Sequence, residues 1–351
     1  MGLETGELDW DGARMPAPSA EALIAWPPDF GTRFTLFVDT EEEFDWAAPL
    51  SRNSHGTTAA TALAQAGRRF GTRGITVTYL ADWPIVQDAR AVEILQVLVT
   101  EQRAAMGTQL HPWVNPPFDE PLTPANSFAG NLPPALEAAK LDRLTDALTA
   151  AFGTPPLTFR AGRYGIGPHT RALLAARGYR LDSSVRARYD YRAAGGPDFT
   201  AIGNHAYRAG PRGAIVELPL TTVYTGLLRR VGPALHHRLG RLPRGPGVAA
   251  RLGLLSRVAL TPEDMPLPDA LEAIRTAIGE GVRVLNFSFH SPSLAPGYTP
   301  YVRDAGDLAS FWRWWDAVLD LLDRRAVLPA APADLIAAAD AARLPPAGTG
   351  G

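Results

Sequence analysis

Short runs of β-branched and aromatic residues alternate along this chain with stretches of helical periodicity, and no other feature constrains the fold as tightly. The strand-like runs are Arg33–Asp39, Ile75–Leu80, Met106–His111, Leu157–Arg160, Arg180–Val185 and Val282–Phe289. Helical patterns occupy Thr57–Phe70, Ile85–Arg103, Pro134–Phe152, Pro168–Arg177, Pro268–Ile278 and Leu308–Leu322. Strands separated by helices pair in parallel, so an α/β sheet or barrel is predicted over 33–330. A barrel of this kind accommodates 351 residues as one unit. Two stretches break the rhythm. Glycine turns and short strands in 190–225 predict an antiparallel excursion, and 226–262 carries Arg229, Arg230, His236, His237, Arg238, Arg241 and Arg244 as a basic insertion. Residues 1–32, with four prolines, read as an irregular arm, and 331–351 as a helix remnant followed by a tail disordered by composition.

Composition removes several classes of function. Cysteine is absent, which excludes disulfide scaffolds, thiolate zinc sites and cysteine nucleophiles. Lys140 is the only lysine and follows no glycine-rich turn, so neither a P-loop nor a Schiff base is expected. With 34 basic against 36 acidic residues there is no excess charge for nucleic acid. No apolar window is long enough to span a membrane, and the acidic N-terminus does not resemble a signal peptide; a cytoplasmic location is expected.

In parallel α/β proteins functional side chains gather where strands end, and four strand ends here carry conspicuous polar residues. In Val38-Asp-Thr-Glu-Glu-Glu43, an extended chain sets Asp39, Glu41 and Glu43 on one face, with Thr40 and Glu42 on the other. Two carboxylates sharing a site demand a cation or a proton. The same residues also fit a helix start, with Thr40 as N-cap and Glu43 completing a capping box. His111 closes the third strand beside a proline-rich loop carrying Trp113, either a sugar-stacking platform or a core plug. Arg160 ends the next strand before a glycine loop, and His290 closes the very apolar last one. No G-x-S-x-G elbow is present, which disfavours a serine hydrolase. His55, His169, His205, His236 and His237 lack such settings and read as structural or surface residues.

In this order, Val38-Asp-Thr-Glu, Gln109-Leu-His, Arg160-Ala-Gly-Arg-Tyr, Leu181-Asp-Ser-Ser-Val and Phe289-His resemble the motifs of the NodB-type polysaccharide deacetylases, carbohydrate esterase family 4. Gly107-Thr-Gln-Leu-His-Pro-Trp113 and the segment from Phe289 to Tyr301 are most similar to the WalW-like branch. The resemblance implies an irregular (β/α) barrel and a hydrolase acting on amide bonds of N-acetylated amino sugars. It implies Asp39 as general base, Arg160 as the residue orienting it, and His290 as general acid. Glu41 and His111 would ligate a divalent metal, zinc, with Asp39 or Gln109 as a third ligand. Trp113, Tyr164 and Asp182 would contact the carbohydrate. Two departures bear on the metal: Gln109 and Trp113 stand where the family has its histidine pair, and Thr40 replaces its second aspartate. A small-amide or ureide hydrolase on the same fold, and a catalytically silent carbohydrate-binding protein, are the alternatives. Repulsion between Asp39 and Glu41 further predicts that losing Asp39 is neutral or stabilising for the fold.

Overall fold

A computed structural model describes residues 10–45, 48–101 and 103–342. Its centre is β1 (Arg33–Thr40), buried from Phe34 onward, whose β-branched and aromatic residues need partners on both edges. It pairs in parallel with the last long strand of the chain and with β2 (Val77–Ala81), which pairs in turn with β3 (Ala104–Leu110). The sheet continues through β4 (Thr158–Ala161), the two-residue β5 (Leu181–Asp182) and, out of chain order, β7 (Ile215–Glu217). Antiparallel β6 (Tyr207–Ala209) lies at its edge. A separate antiparallel pair, β8 (Thr222–Thr225) with β9 (Ser256–Ala259), precedes β10 (Val284–His290), and β11 (Leu328–Pro329) joins the start of β1. The sheet curls, because Thr221 N donates to Asn286 O and Ser288 N to Leu260 O, linking the β7 side back to β10. The result is a half-barrel, mostly parallel, with helices outside.

Alternation along β1 assigns its two faces. Phe34, Leu36 and Val38 join the large core under the outer helices, where Phe70, Phe289, Phe311 and Trp315 interlock. Phe37 points inward to a smaller cluster with Leu80, Leu181, Val216 and Val284. This inner cluster is closed from below by Leu335, Ile336 and Ala339 of the helix Pro332–Ala341. Trp26 and Phe30, stacked at 4.8 Å, pack on the same cluster. The N-terminal segment, expected as an irregular arm, is therefore tied down from residue 10 on; Ile24 N, for example, donates to Ala206 O at 3.0 Å. The tail expected to be disordered lies outside the described residues.

Several boundaries differ from the sequence pattern for identifiable reasons. The helix expected over 85–103 is two, Trp83–Gln87 and Ala89–Thr100, because Asp88 leaves helical geometry and caps the second through Arg90 N. The strand expected over 180–185 shrinks to two residues, since the amide of Ser184 turns onto the Asp182 side chain rather than onto a neighbouring strand. Within 226–262, the last residues belong to β9 and only 226–255 projects, as the short helices Gly232–Leu239 and Gly245–Arg251.

Candidate active site

The C-terminal ends of β1, β3, β4 and β10 meet at one cavity of about 500 Å³, lined by Asp39, Glu41, Gln109, His111, Trp113, Arg160, Tyr164 and His290 among others. Register explains the convergence: Asp39 is paired with His290 across β1–β10, and Gln109 with Arg160 across β3–β4. Asp39 follows Phe37 on the inward face, so the chemistry sits directly on the inner apolar cluster.

Arg160 crosses the barrel interior. Its Nη1 donates to Asp39 Oδ1 at 2.5 Å and to Ser288 Oγ, and its Nε to Ser183 O at 2.9 Å. This side chain is 1% exposed, and Asp39 only 3%, so the pair is a desolvated ion pair fixed by hydrogen bonds. Across the cavity, His290 Nε2 lies 3.8 Å from the other Asp39 oxygen. The far nitrogen, Nδ1, bonds to Glu263 Oε2 at 2.7 Å, and Glu263 Oε1 accepts from His290 N and Ser293 Oγ. Burial alone would lower the imidazole pKa, but Glu263, Glu41 and Asp39 outweigh it and hold His290 near 10. The ring therefore carries both its protons at neutral pH.

His111 stands between two acids. Its Nε2 is 3.5 Å from Glu41 Oε2, on the cavity side, while Nδ1 contacts Glu42 Oε2 at 2.8 Å, on the side away from the cavity. Glu41 and Glu42 thus take opposite sides, as alternation predicts. The helix-start alternative is overturned: Thr40 Oγ1 bonds back to Val38 O, and Glu43 leaves the site to accept from Ala59 N.

Two donor sets could hold a metal. Glu42, Asp82 and His111 bring one ligand atom each within 4.8 Å of one another, although that site replaces the expected Glu41 with Glu42. These atoms are already engaged: Glu42 accepts from Trp113 Nε1 at 2.8 Å, and Asp82 accepts from Glu42 N and Ile85 N. On the cavity side, Glu41 Oε1 is buried without a hydrogen-bond partner among the described residues, and Oε2 accepts from Gln109 Nε2 at 3.1 Å. Burial pushes the Glu41 carboxyl up to about 8. An orphaned carboxylate oxygen beside an imidazole nitrogen, lining a cavity, is a donor pair that a divalent cation would satisfy. Glu41 and His111 fit the group, with Glu42 behind His111 in the orienting position that metal-bound histidines use.

One expected carbohydrate contact, Asp182, is corrected. Asp182 does not reach the cavity: it is fully buried, accepts from Ser184 N and lies 3.7 Å from Arg171, which also binds Glu217. Trp113 lines the cavity but is 2% exposed and stacked on His111 at 4.2 Å, so it is wall rather than open platform. Tyr164 does face the cavity, and both it and Arg163 hold positive φ (58° and 56°), a strained turn at the end of β4. Strand-end reasoning missed Glu42, Asp82 and Glu263. Asp82 stood at the end of β2 and the same rule would have found it; Glu263 had no local signal.

Behind the β3 loop, Lys140 is wholly buried and donates to Pro112 O, Asn115 O and Pro117 O at 3.0, 2.7 and 2.6 Å. Its ammonium also pairs with Glu120 at 3.1 Å. One cation thus gathers the carbonyls of the loop that carries His111 and Trp113.

No family model matches the chain, and no curated protein matches it by sequence. Among solved structures it is similar to a protein designated a polysaccharide deacetylase from Mycobacterium smegmatis, with a TM-score of 0.56 at 18% identity, over 93% of this chain and 96% of that one. Similar too are a protein designated a polysaccharide deacetylase from Pseudomonas aeruginosa PAO1 (TM-score 0.46, 13% identity, 89% and 92% covered) and the PuuE allantoinase (0.49, 14%, 90% and 92%). The chain is a mixed α/β protein with a curled half-barrel. Its particular form is the NodB-like deacetylase fold, which the mycobacterial likeness carries over nearly the whole length of both chains.

Proposed function

We propose that this protein is a hydrolase that removes acetyl groups from N-acetylated amino sugars. The observation that carries the reading is the opposed pair Asp39 and His290, 3.8 Å apart across one cavity and each fixed by its own buried partner, Arg160 and Glu263. An amide is a poor electrophile with a poor leaving group, so its hydrolysis needs a base for water and an acid for nitrogen. Asp39, held by Arg160 through one oxygen, accepts the proton of the attacking water at the other. His290 passes its Nε2 proton to the departing sugar nitrogen, and Glu263 steadies the ring in the tautomer and orientation this requires. Glu41 and His111 would hold a divalent ion, zinc by donor type, which when bound supplies Lewis acidity toward the carbonyl and the water. Tyr164 and the wall formed by Trp113 and His111 confine the sugar. The wording of the second and last motifs supports placement in the WalW-like branch.

The test is acetate release from N-acetylglucosamine oligomers by the parent and by Asp39→Asn and His290→Asn. Each substitution should cost about 10²–10⁴-fold in turnover. A protein that retains near-parent acetate release without Asp39 would sink the mechanism. His290→Asn should hurt an acetate ester less than an amide, because an alcohol leaves more readily than an amine. Equal losses on both would make His290 structural.

A further inference from the structure

Between β8 and β9 the chain leaves the barrel as a helical hairpin, residues 226–255, of unusual composition. It contains no aspartate or glutamate, and its six arginines, Arg229, Arg230, Arg238, Arg241, Arg244 and Arg251, are all exposed. Half of the twelve large hydrophobic side chains exposed among the described residues also fall here: Leu227 (80%), Leu228, Val231, Leu242, Val248 and Leu252 (65%). These are not needed to fold the hairpin. Its own small core is made by Leu235, Leu239, Ala249 and Leu255 against Tyr224, separate from the barrel's.

Backbone pairing brings four of these outward residues together, Leu227, Leu228, Val248 and Leu252. Leu227 N donates to Gly253 O at 3.2 Å and Leu228 N to Leu254 O at 2.9 Å, which sets both leucines beside Leu252. Leu252 N donates one turn back to Val248 O at 3.1 Å, so Val248 and Leu252 share a helix face. Arg229 and Arg230 follow directly on Leu228, and Arg251 immediately precedes Leu252. Between the hairpin and the barrel lies a cleft of about 630 Å³ lined by Arg14, Arg188, Arg192, Arg241, Arg257 and the imidazoles of His236 and His237. Its two acids, Asp190 and Asp198, are both paired with Arg192, at 2.8 and 3.4 Å.

We propose that this hairpin docks the protein on an anionic phospholipid surface, with the leucine patch in the headgroup–acyl boundary and the arginines on phosphates. Basic side chains ringing exposed apolar ones is the pattern of an interfacial element rather than of a spanning one, and no described helix is long and apolar enough to span. A second copy of the chain is a poorer occupant, since an isologous contact would set this arginine patch against itself. A soluble polyanion would use the arginines and leave the leucines without a purpose. The inference does not rest on the hydrolase reading.

Co-sedimentation of the full chain with vesicles tests it. The parent should bind phosphatidylcholine vesicles containing phosphatidylglycerol at least about tenfold more tightly than pure phosphatidylcholine, and less tightly as salt rises. Leu227→Ser with Leu252→Ser, and separately Arg229→Ser with Arg230→Ser, should each weaken binding at least about tenfold while the melting temperature stays at the parent's. Failure of the parent to sediment with anionic vesicles overturns the proposal. So does binding unchanged by the leucine pair, which would mark a purely electrostatic patch. A parent dimer by light scattering that the leucine pair converts to monomer, with no vesicle binding, would instead assign the face to a second copy.

Discussion

Asp39 shows how a single contact reverses an expectation. Beside Glu41 alone, its removal should cost the fold nothing. The structure gives it Arg160, 1% exposed, for which Asp39 is the one carboxylate partner among the described residues, at 2.5 Å. Asp39→Asn therefore strands a buried guanidinium charge and should lower stability by about 1–3 kcal/mol, less than the 3–5 typical of breaking a buried pair outright, because the amide oxygen still accepts one hydrogen bond. Thermal melting checks this; a variant as stable as the parent would mean that the pair contributes nothing net. Glu263 acts through His290, so Glu263→Gln should keep the hydrogen bond yet remove the main charge favouring imidazolium. The apparent pKa of His290, read by NMR of the ring, should fall, and amide turnover should fall by about 10–100-fold. An unshifted ring titration would dismiss Glu263 as its electrostatic partner.

Among elements, the ends of four long strands carried their chemistry openly. Asp39, His111, Arg160 and His290 are polar residues after apolar runs, and parallel register forces such ends into one cavity. Glu263 was not legible because it lies in an irregular stretch after the hairpin and meets His290 only through folding, 27 residues on. Asp182 misled for the opposite reason: its strand end is occupied by a buried Arg171–Glu217 network whose members are scattered along the chain. The helix Pro134–Phe152 adds a pH-dependent element. Its Glu137 accepts from Thr170 Oγ1 at 2.5 Å, and burial raises its pKa to about 7 from 4.5. A carboxyl whose folded pKa is raised binds more protons in the fold than in the unfolded chain between those values. Stability should therefore fall as pH rises from about 4.5 to 7 and level off above. Glu137→Gln keeps the acceptor without the charge, and should raise the melting temperature relative to the parent at pH 8 more than at pH 5. An equal difference at the two values would rule this group out.

At the scale of the whole molecule, the barrel is a vessel with a reactive mouth and an apolar floor. The floor was only partly visible in sequence, since Leu335 and Ile336 read as a helix remnant until the inner cluster showed what they plug. Leu335 is fully buried, and Leu335→Ala should cost about 2–5 kcal/mol, seen as a lower denaturation midpoint, with the cavity chemistry intact in the fraction that remains folded.

The chain's solitary lysine has a practical consequence. Lys140 is 0% exposed, so the folded protein presents no side-chain amine to solvent. Amine-directed cross-linkers find no lysine on its surface. Adducts at Lys140 can form only after the β3 loop has opened. Mass-spectrometric labelling of that one residue should therefore follow the denaturation curve, giving the protein a built-in stopwatch for its own unfolding. Modification of Lys140 under native conditions at the rate of a free amine would show that the loop opens without the rest.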